Sequence, residues 1–237
     1  MQKIKLFCFP FAGGAASFYN PWRTLLPDYL ELHCFELAGR GSRITESLYS
    51  SIAEIVDEIM IKLRPAFESG PYALFGHSMG GIIVYELTKR ISEQNMPMPV
   101  QIFISGKGPL HLPRPELKIY SMPDDEFQKN MIEMGGISED FFRSPELACL
   151  FIPVIRNDMR LAETFEVKEL ARLSCNITVF YGEEEILKPT DVEQWRYYTK
   201  GVFKAHYFKG GHFFIKDYTR EIIDIISNTI MQTQMSC

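Results

Sequence analysis

The chain of 237 residues has an ordinary globular composition, with 46% hydrophobic and 23% charged residues. This composition excludes a disordered chain, a collagen-like repeat and a coiled coil. The net charge of −5 provides no basic excess to neutralise a phosphate backbone, so we expect no nucleic-acid partner.

The uncharged segments of the chain are too short and too polar to cross a membrane. The two longest, Leu6–Trp22 and Ser69–Tyr85, contain glycine, proline and polar residues, whereas a spanning helix needs about 20 mostly apolar residues. Pro10 and Gly13 also interrupt the N-terminal apolar run too early for a signal peptide. We therefore expect no membrane association.

The cysteines show neither a C-x-x-C pair nor a metal-binding spacing. The five positions are scattered along the chain: Cys8, Cys34, Cys149, Cys175 and Cys237. An odd, dispersed set in a chain long enough to form its own core is typical of reduced thiols, so we expect a cytoplasmic protein.

Short apolar runs alternate with helical patterns along most of the chain. Six runs predict strands: Ile4–Phe9, Leu30–Phe35, Tyr72–Phe75, Val100–Ile104, Ile177–Tyr181 and Val202–Phe208. Apolar spacing predicts helices at Ile52–Leu63, Met79–Ser92 and Ile215–Ile226. This alternation indicates an α/β fold with a mostly parallel central sheet and helices on both faces. We expect one domain, residues 1–237.

Residues 107–170 interrupt this alternation, because no strand pattern occurs among them. The segment begins with Pro109, Pro113 and Pro115, and then shows helical fragments at Asp124–Glu133, Ser138–Phe142 and Pro145–Ile155. A long strandless stretch inside an α/β alternation predicts a helical insertion that covers a site, so we interpret it as a lid.

The pentapeptide Gly76–Gly80 (GHSMG) matches the pattern G-x-S-x-G. A predicted strand runs directly into it and a predicted helix leaves directly after it, which is the context of a nucleophile elbow. The sharp turn requires small residues beside a strained serine, and Gly76 and Gly80 provide that room. Ser78 is therefore the predicted nucleophile.

A serine hydroxyl is a weak nucleophile near neutral pH, so a base must accept its proton. Of the five histidines, His33 and His206 lie in predicted strands, His111 opens the insertion, and His77 adjoins the serine. His212 follows the last strand and two glycines, where a loop can place an imidazole above the sheet. We predict that His212 is the base.

An orienting acid is expected between the serine and the histidine in this chain order. The strand Ile177–Tyr181 ends at Gly182, and three glutamates follow. A carboxylate just beyond that strand can reach the Nδ1 side of His212 and stabilise its imidazolium form. Glu185 is the first candidate, and Asp191 is the second.

The segment Pro10–Gly14 (PFAGG) follows the first strand. Its glycines allow the loop backbone to approach the elbow and to offer an amide to a developing oxyanion. We predict that the N–H groups of Phe11 and Met79 form the oxyanion hole. The spacing excludes a dinucleotide-binding G-x-G-x-x-G motif.

These motifs together resemble the α/β-hydrolases and, more narrowly, the type II thioesterases of nonribosomal peptide and polyketide synthesis. The resemblance rests on segments that span nearly the whole chain: Phe9–Gly14, Gly39–Gly41, Phe75–Gly80, Met134–Gly136, Pro153–Asp158, Trp195 and Gly210–Phe213. By position, Ser78 and His212 match the nucleophile and the base of that family. Glu185 stands where the family usually has aspartate, which leaves the choice between Glu185 and Asp191 open.

The resemblance implies a serine thioesterase that hydrolyses acyl groups from the phosphopantetheine arm of carrier proteins, removing misprimed or stalled intermediates. It implies a carrier protein as transient partner, an insertion that gates an acyl pocket, and no cofactor or metal. Because the chain starts at the first strand and ends soon after the last helix, we expect a free-standing enzyme. The sequence leaves the oligomeric state open, and a monomer is the working expectation.

Two alternatives share the same fold. A carboxylesterase or lipase acting on small oxygen esters would have the same triad and differ only in its lid and pocket. A catalytically silent binding module is the other alternative, because Glu185 occupies the acid position.

Overall fold

The computed structural model of the protein describes residues 2–113 and 118–235. Pro115, Cys237 and the part of the predicted lid at residues 114–117 lie outside the described residues. Within the described part, no helix is both long enough and apolar enough to span a membrane. The four cysteines that the structure describes there are free thiols.

Six strands form one sheet, as predicted. They are β1 (Ile4–Phe9), β2 (Leu30–Cys34), β3 (Tyr72–His77), β4 (Gln101–Ser105), β5 (Asn176–Gly182) and β6 (Phe203–Phe208). Their order is β2-β1-β3-β4-β5-β6, and every neighbouring pair is parallel. The strand β3 continues beyond the predicted end at Phe75 to His77, which pairs with Ser105. Sheet pairing therefore fixes the chain up to the residue before the predicted nucleophile.

Helices connect and flank the strands. They are α1 (Ile52–Glu68), α2 (Met79–Glu93), α3 (Asp124–Glu133), α4 (Glu139–Phe142), α5 (Pro145–Thr164), α6 (Pro189–Val192), α7 (Phe214–Asp217) and α8 (Thr219–Met235). Three predicted helices differ from these bounds. The helix α1 continues five residues beyond Leu63. The helix α5 continues nine residues beyond Ile155, because this part of it is packed through buried residues such as Asp158 and Leu161. The last helix is split at Tyr218, whose φ of −106° and ψ of 24° leave the helical range.

Helices cover both faces of the sheet, as predicted. Alternate residues of each strand point to opposite faces, so that Phe7 and Leu74 pack in the cluster formed with α1 and α2. On the other face, Leu6 and Phe75 pack with α8 and with a 3-10 segment at Ala16–Thr24. This three-layer packing of helix, sheet and helix makes the carboxyl ends of the parallel strands one rigid platform for the loops that follow them.

The insertion is helical in the residues that the structure describes between 107 and 170, where α3, α4 and α5 occur without a strand. It has a small apolar cluster of its own, in which Phe127 and Met131 of α3 pack against Ile155 and Met159 of α5. The second half of α5 carries all the buried residues of that helix, beginning at Val154. The insertion is therefore attached to the sheet mainly through α5.

Candidate active site

The turn from β3 to α2 holds Ser78 in a strained conformation, with φ 55° and ψ −112°. A Cβ added at Gly76 would lie 2.0 Å from the carbonyl oxygen of Gly80, and one added at Gly80 would lie 2.2 Å from that of Phe9. Only glycine fits at these two positions, as the sequence predicted. The Ser78 N–H donates to the Ser105 carbonyl at 2.7 Å, which anchors the elbow to β4.

Two loops at the carboxyl end of the sheet bring Glu185 and His212 together. The Oε2 atom of Glu185 lies 2.8 Å from Nδ1 of His212, and the two side chains are 11% and 17% exposed. A Cβ at Gly182 would lie 2.7 Å from the carbonyl oxygens of Gly210 and Gly211. The two loops can approach this closely only because Gly182 has no Cβ. Because a carboxylate can only accept, Nδ1 donates the proton and Nε2 keeps its lone pair.

The second acid candidate lies elsewhere. Asp191 is in the first turn of the four-residue helix α6, and the carboxylate that hydrogen-bonds to His212 is that of Glu185. Glu183 and Glu184 are exposed, as expected for a solvated loop. The geometry therefore favours Glu185 over Asp191 as the orienting acid.

One cavity of about 310 Å³ joins the predicted nucleophile and base. Both Ser78 and His212 line it, together with the Phe11–Gly14 turn. Its apolar wall consists of Phe18, Met131, Met134, Ile137, Met159 and Phe213. Four of these residues, Met131 through Met159, belong to the insertion. The insertion therefore forms part of the wall of the cavity.

Of the two predicted oxyanion donors, Phe11 lines this cavity, and Met79 follows Ser78, which also lines it. Phe11 follows β1 in the turn that lines the cavity, and Met79 begins α2 immediately after Ser78. Within the described residues, neither amide N–H donates a hydrogen bond. A free amide at the first position of a helix is suited to bind a negative charge. Both amides are thus available to a ligand near Ser78.

His77, which adjoins Ser78 in the sequence, packs against the predicted base. The buried ring of His77 lies 5.0 Å from that of His212, centroid to centroid, and its Nδ1 is 2.9 Å from Ser105 Oγ. Burial, and to a lesser degree the charge of His212, lower the pKa of His77 well below its ordinary value. A neutral His77 therefore packs against the imidazole of His212. Only its position next to the serine could have indicated this contact.

Within the described residues, no group of three or more His, Cys, Asp or Glu side chains could hold a metal ion. The arrangement of Ser78, His212 and Glu185 instead has the components of acyl transfer: a nucleophile, a base, an acid that orients the base, and free amides.

Comparison with known proteins agrees with this chemistry. A model of the thioesterase domain family matches residues 4–230. The medium-chain S-acyl fatty acid synthase thioesterase of Homo sapiens is 34% identical over 237 residues, covering 97% of this chain and 86% of that protein. The gramicidin S biosynthesis protein GrsT of Aneurinibacillus migulanus is 29% identical over 225 residues, covering 94% and 88%.

A solved structure has the same architecture over its whole length. ClbQ, from the colibactin NRPS/PKS pathway, superimposes with a TM-score of 0.93 at 31% identity, and the match covers 100% of both chains. The insertion and the site loops are therefore included in the likeness.

Proposed function

Since the chain belongs to the thioesterase family, we propose that it hydrolyses acyl thioesters from the phosphopantetheine arm of carrier proteins. In this proposal it removes misprimed or stalled intermediates in polyketide or nonribosomal peptide synthesis. The names of its relatives support this substrate class, because they include a fatty acid synthase thioesterase and proteins of peptide and NRPS/PKS pathways.

Acylation begins when Ser78 Oγ attacks the thioester carbonyl carbon. Nε2 of His212 accepts the hydroxyl proton, and the carboxylate of Glu185 stabilises the imidazolium that forms. The carbonyl oxygen becomes an oxyanion, which the N–H groups of Phe11 and Met79 bind. The C–S bond then breaks, the imidazolium protonates the departing thiolate, and the acyl group remains as an ester on Ser78.

Deacylation repeats the same proton transfers with water. His212 removes a proton from a water molecule, which attacks the ester carbonyl carbon, and the same amides bind the second oxyanion. The C–O bond to Ser78 breaks, the imidazolium returns the proton to Oγ, and a free carboxylic acid leaves. The chain's own residues carry both steps, so the mechanism requires no cofactor.

The cavity supports an apolar acyl chain as the substrate group. Its walls are aromatic and methionine side chains, and methionine fits varied apolar shapes because it is flexible and polarisable. We propose that residues 107–170 act as a lid on one catalytic domain, residues 1–237. A carrier protein presents the thioester to the protein, which works as a monomer in the cytoplasm, where its scattered thiols stay reduced.

The observation that carries this function is the hydrogen bond between Glu185 and His212 beside a cavity that Ser78 also lines. The test compares kcat/KM for an acylated carrier protein with that for an aryl ester of the same acyl group. We expect a clear preference for the carrier protein. A preference for the aryl ester would identify a carboxylesterase instead.

A second measurement separates an enzyme from a silent binding module. A fluorophosphonate probe should label Ser78 in the wild-type protein and leave Ser78→Ala unlabelled. An unlabelled wild-type protein would favour the binding module.

A further inference from the structure

Two sequence motifs, Gly39–Gly41 and Pro153–Asp158, have no role in the mechanism, and they contact each other inside the protein. Arg40 follows β2, and Asp158 lies in α5, and their side chains are only 2% and 1% exposed. The contact is bidentate, with Nη1 2.5 Å from Oδ2 and Nη2 2.9 Å from Oδ1. Burying both charges removes their hydration, so such a pair is weak evidence of a contribution to stability. Its position points to a different role.

The pair holds the turn that carries one of the proposed oxyanion donors. Oδ2 of Asp158 accepts the Gly13 N–H at 2.8 Å, and Nη1 of Arg40 donates to the Gly14 carbonyl at 3.1 Å. The Gly14 N–H in turn donates to the Phe11 carbonyl at 2.8 Å. The ion pair therefore fixes two consecutive residues of a turn that begins at Phe11.

Apolar packing from α5 acts on the same turn. Gly13 has a φ of 76°, and a Cβ there would lie 2.7 Å from Cγ1 of Ile155. Ile155 precedes Asp158 by three residues, so both side chains lie on one face of the helix. The helix therefore contacts the turn through a charged group and an apolar one, and the missing side chain at Gly13 allows this close approach.

We propose that Arg40 and Asp158 are positioning residues that fix the Phe11–Gly14 turn relative to Ser78 and so place the Phe11 amide for the oxyanion. This inference rests on the proposed function, because it requires Phe11 to be an oxyanion donor. Preorganised donors are effective because they do not move when charge develops. A displacement of about 1 Å in such a group can lower a rate about 100-fold. Neither residue of the pair touches the substrate.

The first test variant is Asp158→Asn. Both carboxylate oxygens accept hydrogen bonds, so the amide of asparagine must face a donor: the Gly13 N–H in one orientation, Nη2 of Arg40 in the other. Either orientation breaks the bidentate contact and leaves the charge of Arg40 unpaired, so we expect the turn to move. We expect kcat for an acylated carrier protein to fall about tenfold or more, with KM changed less than about threefold.

The matched control is Glu58→Gln. Glu58 pairs with Arg43, whose side chain is 12% exposed and lies three residues after Arg40. This pair does not contact the Phe11–Gly14 turn among the described residues. We expect kcat of this variant to stay within about twofold of wild type.

A double variant separates positioning from stability, and it replaces Asp158→Asn if that protein does not fold. Arg40→Met with Asp158→Leu exchanges the buried pair for apolar side chains, an exchange that is often neutral for stability. We expect its urea midpoint to recover relative to Asp158→Asn while kcat remains low, because no group holds the Gly13 N–H. Recovery of kcat together with stability would show a merely structural pair and overturn the proposal.

The rate of fluorophosphonate labelling distinguishes this proposal from the proposed function. The probe forms an Oγ–P bond at Ser78 and releases fluoride, so it needs the oxyanion donors and no thioester. Slow labelling of the double variant, relative to Glu58→Gln, supports the positioning role even if the wild-type protein hydrolyses no carrier thioester. Equal labelling rates would contradict it.

Discussion

Glu185 uses both of its carboxylate oxygens at the site: Oε2 lies 2.8 Å from Nδ1 of His212, and Oε1 accepts the Gly182 N–H at 3.2 Å. The second contact fixes the carboxylate at the end of β5. The additional methylene of glutamate, relative to aspartate, is thus accommodated within its own loop. The geometry gives His212 the tautomer that a base for Ser78 requires.

Replacing Glu185 by glutamine should lower kcat by on the order of 100-fold or more, because the amide can present a donor to Nδ1 and favour the wrong tautomer. Steady-state kinetics on an acylated carrier protein measure this loss. Glu184→Gln, an exposed neighbour, is the control and should retain wild-type kcat. A larger loss in Asp191→Asn than in Glu185→Gln would mean that Asp191 is the acid.

Replacing Gly76 by alanine should destabilise the protein and impair the elbow. The new Cβ would lie 2.0 Å from the Gly80 carbonyl oxygen, a backbone atom that cannot move without the turn. Overpacking of this kind destabilises by about 1–3 kcal/mol, and urea unfolding measures it. Gly211→Ala is the control, since its Cβ would meet nothing within 4 Å. Equal midpoints for the two variants would contradict this steric interpretation.

The free energy of unfolding should decrease as the pH falls from 7.5 to 5.5. Burial lowers the pKa of His77 in the folded state. Below the unfolded pKa of about 6.5, the unfolded chain therefore binds a proton that the folded chain does not bind, and this proton stabilises the unfolded state. This one group therefore destabilises the folded protein progressively as the pH falls below that value. The half-buried His206, whose pKa is also lowered by burial, acts in the same direction.

Urea unfolding of wild type and His77→Gln at both pH values isolates this contribution. Glutamine keeps a polar group near Ser105 Oγ and does not titrate, so the variant should lose less stability on acidification. Parallel losses in the two proteins would show that His77 is protonated in the folded state as readily as in the unfolded chain.

Hydrogen exchange should divide the insertion into two parts. The helix α4 has no buried residue, and α5 has none before Val154, whereas Val154–Ala162 is packed against the sheet layers and the Phe11–Gly14 turn. Few buried contacts mean low local stability. The amides of α4 and of the part of α5 before Val154 should therefore exchange faster than those of Val154–Ala162, as hydrogen exchange followed by mass spectrometry would show. Uniform protection across the insertion would contradict a mobile lid.

The sequence predicted the sheet and the elbow because local rules determine them. Alternating apolar runs fixed all six strands, and the sharp turn at Ser78 demanded the glycines at positions 76 and 80. His212 could be predicted by elimination, because its loop follows the last strand. These features depend on residues that are near one another in the chain.

Long-range contacts could not be predicted in the same way. The pairing of Arg40 with Asp158 joins residues 118 positions apart, and no local pattern indicates a buried partner for either. The predicted helical fragment ends at Ile155, whereas the structure continues α5 and buries Asp158 in that pair. The choice between Glu185 and Asp191 likewise required the distance to His212.

The most direct test of the proposed catalysis is mass spectrometry of the protein during turnover of an acylated carrier protein. We expect a covalent acyl ester on Ser78 in the wild type. Ser78→Ala should carry no ester and hydrolyse no thioester, while it still binds the acylated carrier. Hydrolysis by Ser78→Ala, or an acyl group attached at a different residue, would contradict the assignment of Ser78 as the nucleophile.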